Sequence, residues 1–135
     1  IILGLDTRDP SAPVHTVIDA GTIGVYASGG NITGTNVEVI SGNWGANVTD
    51  AGIINLTGGS IAAVTGVFNA DLTDGGSFTA SGVAITTTGT GVNTTGANSV
   101  STLQDNGGTH TTIKTSNNAT GILVRSGGQV TGSGV

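Results

Sequence analysis

The chain has 135 residues and a formal net charge of −5, with 25 glycines, 3% aromatic and 8% charged residues, and neither cysteine nor methionine. That composition excludes disulfides and thiolate metal sites, and Arg8, Lys114 and Arg125 alone give no basic surface for a phosphate backbone or an anionic membrane. Burial yields roughly 25 cal/mol per Å², so a sphere built from so few large side chains is marginal. A stacked solenoid needs only a thin layer of Val, Ile, Leu and Ala between coils.

Disorder is the other reading of a chain rich in Gly, Ser and Thr. It fits less well, because mean hydropathy is +0.22 and the aliphatic residues are spread evenly. No run approaches the ~18 apolar residues of a membrane span. No signal peptide is visible, since Ile1-Ile2-Leu3 is short and follows no basic region. The missing initiator Met and the unfinished repeat Gly128-Gln129-Val130-Thr131-Gly132 suggest a processed or excised chain.

In chain order, residues 1–13 are expected to form a strand, loop or lateral strut, with a linker to an upstream domain as the alternative: Asp6 to Pro13 holds both prolines, which lack the N–H a ladder needs. Residues 14–135 carry the repeats. Short strands are expected at Val14–Ile18, Ile23–Tyr26, Val37–Ile40, Gly52–Leu56, Val83–Thr86, Thr111–Lys114 and Gly121–Arg125, where β-branched residues gather. Helix is excluded in practice, because no apolar stripe runs three turns without an intervening glycine. Paired glycines punctuate the chain at Gly29-Gly30, Gly58-Gly59, Gly75-Gly76, Gly107-Gly108 and Gly127-Gly128. Asn106-Gly107 is the one Asn-Gly pair, the strongest hairpin signal. Read as coil boundaries of ~20 residues, the glycine pairs predict an all-β, right-handed parallel β-helix of about six short coils. Gly108 to Gly128 would be one coil, and the register would be irregular between Thr86 and Asn106.

The stretch Ile113-Lys114-Thr115-Ser116-Asn117-Asn118-Ala119-Thr120-Gly121-Ile122-Leu123-Val124-Arg125-Ser126-Gly127-Gly128 resembles the coil repeat of pertactin-like passenger domains of bacterial autotransporters. Thr22 to Gly30 and Val83 to Gly89 are similar. The resemblance covers most of the chain from Val14 onward, and it is shared in part by other β-solenoids. It implies a right-handed parallel β-helix secreted through the outer membrane and displayed on a Gram-negative surface, where such passengers act as adhesins, aggregation factors or toxins.

Chemistry is sparse. Asp50, Asp71 and Asp74 come closest to a carboxylate cluster. Asp50 and Asp71, about one coil apart, would stack ~4.8 Å from each other, as a glycoside-cleaving pair requires neighbouring acids. With no aromatic sugar platform in view nearby, local turn hydrogen bonds are the favoured role. Asp71-Leu72-Thr73-Asp74-Gly75 lacks the alternating ligands of a calcium loop. His15 and His110 without cysteine make a poor zinc set, and there is no nucleophile elbow or phosphate loop. Thr33-Gly34-Thr35 and the Thr pairs 87–88, 94–95 and 111–112 suggest a water-ordering row, but their spacing is irregular, so plain solvent-facing positions are expected. Five Asn-x-Ser/Thr sequons matter only in a glycosylating source. Trp44, between Asn43 and Gly45, stands on a turn either as a partner or sugar anchor or as a lateral cap.

The expected function is therefore a non-enzymatic module of the bacterial cell surface, with no cofactor and no metal, binding a host or matrix molecule, a glycan or itself. Trp44, Asp50, Asp71 and Asp74 are its candidate ligand-binding residues. A polysaccharide-binding or polysaccharide-degrading β-helix of the phage tailspike or lyase type, and a self-assembling extracellular fibre, are the alternatives.

Overall fold

The computed structural model describes residues 1–3, 16–70, 73–116 and 118–135. The Asp6–Pro13 segment, Val14, His15 and Asp71 lie outside the described residues. Along the chain run β1 (Ile2–Leu3), β2 (Val17–Ala20), β3 (Ile23–Ser28), β4 (Asn31–Ser41), β5 (Trp44–Thr49), β6 (Ile53–Ala63), β7 (Thr65–Ala70), β8 (Ser77–Ser81), β9 (Ala84–Thr87), β10 (Val92–Thr95), β11 (Val100–Gln104), β12 (Thr112–Thr115), β13 (Ile122–Arg125) and β14 (Gln129–Ser133). Every strand pair is parallel, and the described residues contain no helix. The result is a β-solenoid of about four turns rather than six.

Three faces wrap the core. A bent nine-stranded sheet supplies two of them. The first runs β1, the front of β4, the front of β6, β8, β11 and β14; the second runs β2, the backs of β4 and β6, β9 and β12. The order β3-β5-β7-β10-β13 forms the third. The strands β4 and β6 reach 11 residues each, longer than expected, because their bend is made without leaving the ladder. Asn36 turns with φ +52°, and its neighbours one rung on, Gly58 and Gly59, turn with φ +65° and +80°. Asparagine and glycine are the residues that enter this left-handed region at low cost.

The periodic signal that sets the coils is a glycine before a small aliphatic residue: Gly24-Val25, Gly45-Ala46, Gly66-Val67, Gly91-Val92 and Gly121-Ile122. These stack, because Gly45 approaches the carbonyl of Gly66, Gly66 that of Gly91, and Gly91 that of Gly121. A Cβ on Gly24 would strike Val39, and one on Gly45 would strike Ile61, so from Gly24 to Gly91 the column admits no side chain where the third face turns into the core, and only its last member, Gly121, has open space. The paired glycines mix three roles. Gly30, Gly76 and Gly128 precede the first-face strands, Gly58-Gly59 forms the bend inside β6, and Gly107-Gly108 tips a loop. Counting all of them as coil boundaries is what inflated the coil number. Gly108 to Gly128 is thus not one coil. At Asn106-Gly107 the expected tight turn forms, with Asn106 and Thr109 in an isolated antiparallel bridge. The register holds through β9, β10 and β11; the irregularity lies in the loop between β11 and β12.

Inward columns stack like residues. Val39, Ile61 and Ile85 form one, and Val25, Ala46, Val67 and Val92 another, all buried. Ile32, Ile54 and Phe78 form a third that Ser101 interrupts before Val130. There the interior turns polar. The amide of Asn69, fully buried, donates to Val100 O at 2.8 Å and Gly76 O at 3.1 Å, and Thr94 Oγ1 meets Ser101 Oγ at 2.7 Å.

Candidate functional site

The chain has one Trp, one Tyr and two Phe. Phe78 is fully buried, and the remaining three aromatics gather on the outer side of the third face. Strand alternation sends Val25, Ala46, Val48 and Val67 inward and therefore Tyr26, Asn47 and Phe68 outward. In-register pairing stacks those three into one column, Tyr26 opposite Asn47 and Asn47 opposite Phe68. Trp44 begins β5 beside the glycine column and lays its indole parallel to Phe68, with ring centroids 4.7 Å apart and planes 9° apart. Both rings stay partly exposed, and Tyr26 is 51% exposed.

A hydroxyl and carboxylate cluster adjoins the aromatics. Tyr26 Oη meets Thr49 Oγ1 at 3.2 Å. Ser28 Oγ donates to Asp50 Oδ2 at 2.6 Å, and Thr49 Oγ1 donates to the same oxygen at 3.4 Å. Asp50 and Ala51 both take positive φ, 49° and 56°, in a turn closed by Gly52 N–H donating to Thr49 O at 2.8 Å. Asp enters that conformation more readily than Ala, which is strained there. Asn47, 5% exposed, carries a buried Oδ1 that accepts no hydrogen bond.

Of the residues expected to bind, Trp44 and Asp50 therefore lie at one site. An aromatic platform stands beside Asp50, contrary to the sequence expectation, because stacking brings Tyr26 from the preceding coil. Asp74 lines a shallow groove with Ala51, Ile53 and Asn98, on the other side of the turn that Asp50 begins. Tyr26, Phe68, Asn47, Thr49 and Ser28 were not singled out by sequence. Their signal was the glycine column: Tyr26, Asn47 and Phe68 each fall two residues after Gly24, Gly45 and Gly66.

Two other features stand elsewhere. An open groove of about 590 Å³ follows the bend, lined by Asn36, Gly58, Gly59, Gly82 and His110. At its end His110 Nδ1 donates to Asp105 Oδ1 at 2.8 Å and to Gly134 O at 2.7 Å. The bond to Asp105, then the Gly134 carbonyl, then the Asp105 charge raise the His110 pKa above its ordinary value.

On the first face Thr33, Asn55, Thr79, Thr102 and Thr131 form an outward column in register, with Thr131 Oγ1 donating to Thr102 Oγ1 at 3.3 Å. Their uneven sequence spacing is absorbed by turns. Of the Thr pairs expected to face solvent, Thr87, Thr94 and Thr111 are instead buried. Among the described residues no three His, Cys, Asp or Glu side chains converge. Compared with protein-family models, curated proteins and solved structures, the chain matches none.

Proposed function

We propose that this chain is a non-enzymatic binding module displayed on a bacterial cell surface, a stretch of autotransporter passenger that acts as an adhesin. The observation that carries the binding role is the convergence of Tyr26, Trp44 and Phe68 on one outer face of a regular sheet. In a chain so poor in aromatics, ordinary packing would place them in the core. Tyr and Trp are enriched at recognition surfaces because they bring large rigid area together with a polar group. Short polar columns on the neighbouring faces add weak contacts, and a rod presenting many of them gains through multivalency. The surface location rests on the likeness of Ile113 to Gly128 and of Thr22 to Gly30 to passenger repeats.

Two assays test this reading. Antibody raised to the chain should label intact source cells, and the label should vanish after mild external proteolysis. Beads coated with the chain should adhere to cells above albumin-coated beads. Labelling only after lysis, or adhesion no better than albumin, would reject it.

A further inference from the structure

We propose that the outer side of β3, β5 and β7 is a glycan subsite that takes a neutral pyranose chain lying across the rungs, with Tyr26 and the Trp44–Phe68 pair as its two stacking platforms and Asp50 as its hydroxyl acceptor. This rests on the binding-module reading and names its ligand class. Tyr26 and Phe68 lie in one column two rungs apart, roughly 9–10 Å at strand spacing. That span suits more than one sugar ring. The C–H face of a pyranose is weakly positive and packs on the negative face of an aromatic ring. Trp44 is already held parallel to Phe68, so little ordering is left for the ligand to impose.

The polar groups match the hydroxyl edge of a sugar. The bonds from Ser28 and Thr49 both fall on Asp50 Oδ2, which aims the carboxylate and leaves Oδ1 for a ligand hydroxyl. Between the two platforms, Asn47 Oδ1 is a buried acceptor without a donor. An orphan of this kind costs roughly 1–3 kcal/mol, and it lies beneath the column on which the sugar would rest. Charge selects the neutral class. Lys114 belongs to β12 in the other sheet and Arg125 to β13, two strands beyond Phe68. Among the described residues, then, no Lys or Arg side chain faces Asp50, and an acidic sugar would meet the carboxylate without one to offset it.

Trp44 is the only Trp in the chain, so its emission reads the site directly. The experiment titrates the protein with chitohexaose, laminarihexaose and soluble mannan, and with polygalacturonate as the acidic comparison. The expected result is a saturable change in Trp44 emission with at least one neutral glycan and none with polygalacturonate. Tyr26→Ala and Asp50→Asn should each weaken binding about tenfold or more, the loss expected for a hydrogen bond to a charged group or a stacking anchor. Asn keeps the positive φ of position 50, and circular dichroism checks the fold of each variant. Tyr26→Phe should retain most of the affinity. No emission change with any neutral glycan would overturn the proposal. So would binding that Tyr26→Ala and Asp50→Asn both leave intact. Bead adhesion that survives enzymatic removal of surface glycans would overturn the glycan subsite and leave the adhesin reading standing.

Discussion

Gly66→Ala is the sharpest single test of how the coils stack. A Cβ built on Gly66 would lie 2.5 Å from the carbonyl oxygen of Gly91, 2.5 Å from Ile85 Cγ2 and 3.1 Å from Thr87 Cγ2. None of these can give way cheaply. The Gly91 carbonyl accepts the Val67 N–H at 2.9 Å and so belongs to the ladder, while Ile85 is 1% exposed and fixed in the core. Overpacking of this kind costs about 1–3 kcal/mol, and contact with a pinned carbonyl places Gly66 at the upper end. The control is Gly121→Ala, in the same column, where nothing lies within 4 Å of the added Cβ. There alanine restricts the unfolded chain and should stabilise by about 0.4–1 kcal/mol. Urea unfolding followed by circular dichroism should therefore separate the two variants by about 3 kcal/mol, or on the order of 10 °C in Tm. Equal stability of the two variants would refute the stacked glycine column.

Phe78→Ala should cost about 3–5 kcal/mol by opening a cavity in the core, whereas Phe68→Ala, on the outer face, should cost far less; urea midpoints compare them. Ala51→Gly should raise the unfolding free energy by up to about 1 kcal/mol, since it relieves a left-handed alanine worth roughly 1–2 kcal/mol and loses part of that to unfolded-state entropy; a lower urea midpoint would contradict the turn. The His110 pKa is raised above its ordinary 6.5 by Asp105 and Gly134, so the stabilisation His110 provides is complete below pH 6.5 and fades as pH rises through the raised value. The stability gap between wild type and His110→Gln should thus be wider at pH 5 than at pH 9, and a gap that grows with pH would show the sign to be wrong.

Much of the architecture is legible in the sequence because β-branched residues and glycine act locally. The strands at Ile23–Tyr26 and Gly121–Arg125 are readable from a few neighbouring residues, and so is the absence of helix. The coil number was not, because glycine serves several ends. A glycine that turns β6 looks the same in sequence as one that admits a neighbouring carbonyl. Strands such as β7, β10 and β11 were hidden by Thr, Asn and Ser, whose inward placement at Asn69, Thr94 and Ser101 depends on partners on another face or in another coil. The candidate site was half visible. Trp44 and Asp50 stand out by residue type, whereas Phe68 and Asn47 acquire meaning only when stacking sets them below Tyr26. Non-local pairing builds the site, and its one trace in the sequence is the glycine two residues before each of Tyr26, Asn47 and Phe68.

The central claim is that residues a coil apart in sequence are neighbours in space, on the outer faces as in the core. The chain contains no cysteine, so engineered pairs report on this without background. Cysteines at Thr33 and Asn55, partners in the first-face ladder, would have Cα atoms about 4.7–4.9 Å apart, within the range that a disulfide bridges. Thr33 paired with Ala63, which lies on the second face, would not. Under mild oxidation, the account predicts rapid closure of the first pair within the monomer and none of the second. Failure of the Thr33–Asn55 pair to close, or closure of both at the same rate, would contradict it.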